Sequence, residues 1–297
     1  MLTLLSSALS QGFAIAALGF AFALVYWSTR IFFVALGALF ALAPFLVAAL
    51  QPDLGVAGAV VSAVVAVTGL SLLLGWANHE RLLRKGSPTG VHFACSLALY
   101  FLTAELIALR WGSDVQSLAT LPGLSEIVGG RSFLLPTSQL VAMSLCIALV
   151  TAVFLVLRFS GHGVKLRALA DNPVELSRSG YNPVLLRGMA FGVSGLVAGG
   201  ASIAIAVDLA VGAHSGMGAL IPAATATLLT PLGRWRSLLV WALSLGLLRT
   251  VVTFTTSGAW QDPVTLGLLL LGLLGRRLGG WKVWRPWGPG LVPRGAR

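Results

Sequence analysis

Long apolar runs separated by short polar breaks repeat along nearly the whole chain. A helix needs about 20 apolar residues to cross the hydrocarbon core of a bilayer. Nine segments fit that pattern: 9–27, 31–50, 56–76, 91–110, 137–159, 187–207, 214–231, 237–257 and 263–278. The pattern predicts an all-α, polytopic helical membrane protein with about nine spans (eight to ten). The seventh segment is short, holds Pro222 near its middle, and carries Thr225, Thr227 and Thr230 before Pro231. It reads either as a Pro-kinked helix or as a broken, re-entrant segment lining a cavity. Two connections are long, 111–136 and 160–186.

The second of these belongs to the most polar stretch of the chain, SGHGVKLRALADNPVELSRSGYNPVLLR at 160–187. It contains a short helix, 173–179, with both ends written in. Asn172 is an N-cap residue, Pro173 suits the first helical position, and Glu175 places negative charge in the first turn. Gly180 supplies the left-handed residue that ends it. A segment this charged faces water, and a capped helix in water is a surface for a partner.

Composition supports the membrane class. The chain is 57% hydrophobic and 10% charged, where a soluble domain carries about 25% charged residues. No polar segment is long enough to fold alone, so 1–280 form one transmembrane domain that includes loop 160–187. Residues 281–297 form an irregular tail. Its LVPRG, Leu291–Gly295, reads as a protease-site scar or as native sequence, and carries no functional argument. The net charge of +11 sits in short loops at alternate ends of the apolar runs, which argues against nucleic acid as a partner. With loop 160–187 inside, 17 basic residues fall on the cytoplasmic side and only Arg110 and Arg131 outside. The predicted N-terminus is therefore outside and the C-terminus cytoplasmic.

Catalytic motifs are missing. No lysine follows a glycine, so there is no P-loop and ATP is not bound that way. No G-x-S-x-G nucleophile motif occurs. His79, His92, His162 and His214 lack ligand spacing, and Cys95 and Cys146 lie inside apolar runs, so neither a metal nor another cofactor is predicted in this chain. Gly188, Gly192, Gly195 and Gly199, with Ala198 and Gly200, give the sixth span a small-residue face for close helix approach.

Two charges fall within spans. Glu105 lies near the outer end of the fourth. Arg249 lies about 18 Å into the eighth, where a charge faces protein or a water-filled cavity. Arg249 and Thr253, four apart on one helix face, are candidates for a solute path together with Glu105, Thr225 and Thr227. The competing reading is a structural arginine paired with Glu105 or with helix-end carbonyls.

Leu166–Phe191, LRALADNPVELSRSGYNPVLLRGMAF, resembles the cytoplasmic coupling segment of branched-chain amino-acid ABC permeases of the LivH type. Those typically read A-x-x-D/E-N-x-x-x-A-x-x-x-G-I-N before a helix opening AF, and Ala168, Asp171, Asn172, Gly180, Asn182, Ala190 and Phe191 match. Leu18–Leu50 is similar to the family's first hairpin. The resemblance implies the membrane subunit of a bacterial inner-membrane importer, surrounded by membrane lipids and not itself an enzyme. It implies a second permease subunit, the same or different, and a periplasmic or lipid-anchored solute-binding protein. Cytoplasmic ATPase subunits would bind the ATP and touch Lys165, Arg167, Ala168, Asp171, Asn172, Pro173, Glu175 and Gly180. An ATPase-independent secondary transporter or channel is the alternative. The chain departs from the family where a polar pair is usual before the glycine matching Gly37; it has Phe33 and Leu36. Arg249 stands where an acid is common, and Leu232–Ser237 replaces a Gly-rich turn. Those changes open the solute to another amino acid, an amide, urea or an organic acid.

Overall fold

The computed structural model describes residues 2–112, 114–118 and 137–278; Glu126, Arg131 and the tail from Trp281 lie outside them. The elements are α1 (Leu2–Thr29), α2 (Ala35–Leu74), a π-helical turn (Gly75–Glu80), α3 (Arg81–Arg84), α4 (Thr89–Trp111), α5 (Thr137–Phe159), α6 (Gly161–Asp171), α7 (Pro173–Arg178), α8 (Pro183–Ala206), α9 (Ser215–Leu229), α10 (Trp235–Thr255), a 3₁₀ turn (Gly258–Trp260) and α11 (Gln261–Leu278). Among the described residues the only β pairing is an isolated bridge between Gln116 and Val211.

Six described helices are long and apolar enough to cross a membrane: Leu4–Thr29, Ala35–Arg84, Thr89–Trp111, Thr137–Phe159, Pro183–Ala206 and Trp235–Thr255. The second runs 50 residues but reverses at Gly55, whose φ of 67° and ψ of 174° are not helical. A side chain strains that backbone and glycine does not. Phe33 packs edge-on against Phe191 at 5.0 Å, and Gly75 rests on the same ring. Both ends of α2 therefore meet at one place, and its halves, 35–54 and 56–74, are antiparallel. The separate apolar runs at 31–50 and 56–76 correspond to these halves. The expected seventh span is the 15-residue α9, about 22 Å long at 1.5 Å per residue, against about 30 Å of hydrocarbon. Its N-terminus is held from outside the helix. Tyr100 Oη accepts from the Met217 N–H and donates to the His214 carbonyl, each at 3.1 Å.

The core lies around α1 and α8. Ala16, Ala17, Phe20, Ala21, Phe22 and Ala23 are all buried, as expected of a helix that is apolar on every face. The small-residue face of α8 meets the second half of α2, with Gly192, Gly195 and Gly199 against Leu72, Ser71 and Val67. A Cβ on Gly195 would stand 2.5 Å from that of Ser71, so no larger residue fits without moving a helix. The same contact lets Ser71 Oγ donate to the Phe191 carbonyl at 2.7 Å. At the periphery, α4 and α5 expose Phe101, Leu102, Leu106, Leu109, Leu155 and Val156, an apolar surface suited to lipid.

Candidate coupling segment and polar cavity

Three short stretches build the exposed segment at one end of the bundle. Ser160 leads into α6, which carries Lys165, Arg167, Ala168 and Asp171 as a helix that the sequence pattern did not predict. Leu169 of α6, Leu176 of α7 and Leu186 of α8 form a small buried cluster, so α7 rests on its own core. Asn172 Oδ1 accepts from the Val174 and Glu175 N–H groups at 3.1 and 3.2 Å, with Pro173 at the first helical position. Glu175 pairs with Arg178 at 3.3 Å, and Gly180 closes the segment at φ 84°. The helix ends one residue earlier than expected, with Ser179 as its cap. Asn182 then caps α8 by accepting from the Val184 N–H at 3.0 Å. Val174 is 59% exposed, and Lys165 Nζ lies 4.9 Å over the Tyr181 ring.

One turn into α8, Arg187 grips Glu80 with two bonds, Nε to Oε2 at 2.8 Å and Nη2 to Oε1 at 2.9 Å. Arg84 approaches the same carboxylate at 3.4 Å. The Glu80 side chain is 6% exposed and that of Arg187 18%. A bidentate pair this enclosed is a stiff link between the exposed segment and the π-helical turn that follows the α2 hairpin.

The opposite end holds a cavity of about 340 Å³ between α1, α5, α8 and α10, lined by Ser7, Ser10, Gln11, Gln139, Asp208, Thr250, Thr253 and Gln261 together with apolar side chains. Gln11 Oε1 accepts from Thr250 Oγ1 at 3.0 Å. Asp208 Oδ1 accepts from Ser138 Oγ at 3.2 Å. Burial raises the Asp208 pKa above the ordinary carboxylate value, and the Ser138 bond opposes that shift. Gln139 is 9% exposed, with no hydrogen bond to its carboxamide among the described residues.

Arg249 is buried beside this cavity and is not a free charge. Its Nη1 donates to Asp262 Oδ1 at 2.8 Å and Thr265 Oγ1 at 3.1 Å, and its Nη2 to Gln261 Oε1 at 2.8 Å. Gln261 in turn donates through Nε2 to Thr253 Oγ1. Arg249 thus positions Gln261, and Gln261 and Thr253 face the cavity. Of the pairings open to a structural arginine, the one with Glu105 is not formed among the described residues. Glu105 is 62% exposed and lies 4.0 Å from His214, while Asp262 reaches Arg249 because the 258–260 turn folds α11 back onto α10. Thr225 and Thr227 also lie away from the cavity. They are buried and donate to the Ile221 and Ala223 carbonyls of their own helix, with Thr227 also reaching the Gly19 carbonyl at 3.2 Å.

Residues 3–274 match the family described as branched-chain amino acid transport system, permease component. The chain belongs to this family. No curated protein matches the sequence. A solved structure, PsaBC from Streptococcus pneumoniae in complex with Fab, matches with a TM-score of 0.50 at 13% identity, covering 90% of each chain. At that identity the likeness speaks of fold alone.

In this permease, two of the departures from the family pattern lie in the core. Phe33 and Leu36 are fully buried, and Phe33 packs edge-on against both His79 and Phe191. His79 and His92 form a pair that ligand spacing did not reveal, with Nδ1 atoms 3.3 Å apart and His79 stacked on Phe191. A signal was present. The two histidines flank the turn that joins α3 to α4, five residues before the end of α3 and three after the start of α4, so a hairpin there brings them near one another. Among the described residues, no group of three metal-ligating side chains forms.

Proposed function

We propose that this chain is the transmembrane permease subunit of a bacterial ABC importer in the inner membrane, moving a branched-chain amino acid or a related small polar solute inward. Separate cytoplasmic ATPase subunits bind the ATP and dock on α7. A second permease subunit, identical or related, completes the pathway, and a periplasmic or lipid-anchored binding protein delivers the solute. The chain crosses the membrane nine times with α9 as its shortest pass, the N-terminus outside and the C-terminus in the cytoplasm. The observation that carries this reading is α7 itself, a helix of six residues, too short to persist alone. It is capped by Asn172, seated on a leucine cluster and followed by the Arg187–Glu80 link. Such a lever receives force at one end and passes it to α8 and the hairpin. The cavity at Gln11, Gln139, Asp208 and Gln261 supports a polar solute, and its apolar wall supports a small one. The test is purification with candidate ATPases and reconstitution in proteoliposomes. The reading expects ATP-dependent uptake that fails when Asn172 and Glu175 are both replaced by alanine. Uptake by this chain alone, without an ATPase, would instead establish a secondary transporter or channel.

A further inference from the structure

A second cavity, of about 370 Å³, opens at the end of the bundle that carries α7, and it is lined by Arg158, Arg167, Arg234, Arg236, Phe154 and Trp235. The four arginines come from three places in the chain: the last turn of α5, the middle of α6 and the start of α10. No acidic side chain lines it, and none of the four is ion-paired among the described residues. The acidic Asp171 lines an adjoining crevice of about 160 Å³ that shares Arg167, Gly233 and Trp235, and its charge acts on Arg30. The aromatic floor is fixed, because Trp235 stacks on Phe20 at 5.2 Å and packs against Trp27 at 4.5 Å. Gly233, at φ 72°, brings the backbone beside Arg167 Nε. The first turn of α10 also opens here, adding the positive end of a 21-residue helix.

From this convergence we infer that the cavity binds the phosphate of an anionic phospholipid, held by Arg158, Arg167, Arg234 and Arg236 with its acyl chains against Phe154 and Trp235. A phosphate suits four unpaired guanidinium groups, and basic pockets between spans at a membrane face take such headgroups. A soluble phosphate offers the same charge. The lipid is favoured because the site lies where α5 and α10 leave the apolar layer and because its floor is aromatic. Arg167 sits on α6, one element before α7, so an occupied site tethers the coupling segment to the membrane surface. The inference rests on the permease reading only in requiring that α5 and α10 span a bilayer; it does not depend on the solute.

The experiment is native mass spectrometry of the full-length chain purified in detergent and exposed to an equal mixture of phosphatidylglycerol and phosphatidylcholine. Preferential retention of phosphatidylglycerol is expected. Arg167→Gln and Arg236→Gln each weaken it about fivefold, Arg236→Lys largely keeps it, and Arg81→Gln, which removes the same charge elsewhere, leaves it unchanged. If the glutamine variants do not purify intact, the thermal shift of the unaltered chain decides, with phosphatidylglycerol raising the unfolding temperature more than phosphatidylcholine. Equal retention of the two lipids, undiminished retention in both glutamine variants, or equal thermal shifts would overturn the site. Displacement of the lipid by inorganic phosphate alone would assign the arginines to a soluble anion and overturn the lipid. Retained lipid in a chain that transports nothing would count against the permease reading and leave this site standing.

Discussion

The two ends of the bundle hold charge in opposite ways. At the cavity end, Arg249 is enclosed and bound through both Nη atoms to Asp262, Gln261 and Thr265, only its Nε lacking a partner, and the nearby acid, Asp208, is half-buried with Ser138 as its partner. At the α7 end, Arg187 is bound to Glu80, but Arg158, Arg167, Arg234 and Arg236 stand exposed and unpaired among the described residues, around a cavity. Charge that is satisfied internally fixes geometry. Charge left open waits for something outside the chain. The first arrangement suits the proposed solute site, the second the proposed lipid and ATPase contacts.

Substitutions that exchange the two arrangements should have graded effects. The largest is expected at Glu80→Ala, which strips Arg187 of its enclosed bidentate partner and costs about 3 kcal/mol of stability. Thermal unfolding in detergent reads it, and a loss near zero would mean that the pair links nothing. Next comes an asymmetry in the Arg249 cluster. The Asp262 side chain is 44% exposed and that of Arg249 only 9%. Asp262→Ala therefore leaves an enclosed cation with fewer partners and costs about 2 kcal/mol, whereas Arg249→Met leaves an acid that water can solvate and costs less. Equal losses would show that Asp262 does not hold the arginine.

Asn172→Ala removes two hydrogen bonds at the start of α7 and should cost about 1 kcal/mol, felt locally. Amide exchange at Val174 and Glu175 should quicken roughly fivefold, with the cavity end unchanged. Smallest is the pH effect of Asp208. Its folded pKa is raised, so the folded state binds the proton more tightly than the unfolded chain does. The stability this confers is full below the ordinary carboxylate value of 3.8 and is lost as pH rises through the higher, folded value. Asp208→Asn should flatten that fall. A variant with the same pH profile as the unaltered chain would place the carboxylate in a water-like setting.

How legible each region was follows from how far its bonds reach. Asn172 contacts groups two and three residues ahead, so the cap of α7, with Pro173 and Gly180, was readable from the sequence. The hydrophobic runs likewise located the helices, because the need to bury about 20 apolar residues in lipid is local to each run. Arg249 finds partners 12, 13 and 16 residues away around a turn, and nothing in the spacing distinguished Asp262 from Glu105. Gln11 and Thr250 are separated by 239 residues, so the cavity they line becomes visible only in the assembled bundle. Helix α6 escaped notice for a different reason. Its register is set by Leu169 packing on α7 and α8, and its polar residues give little apolar periodicity. The α9 threonines suggested a polar pathway, yet hydroxyls in an apolar helix return to their own carbonyls.

If α7 is the contact through which separate ATPases drive this permease, its exposed face lies against an ATPase subunit. Cysteine cross-linking tests it most directly, with Val174→Cys placed on the exposed face of α7 and the chain co-expressed with its candidate ATPases in the membrane. A cross-linked product containing an ATPase subunit is expected, weakened when Asn172→Ala is added. Absence of any such product, together with solute uptake by the chain purified alone, would contradict it.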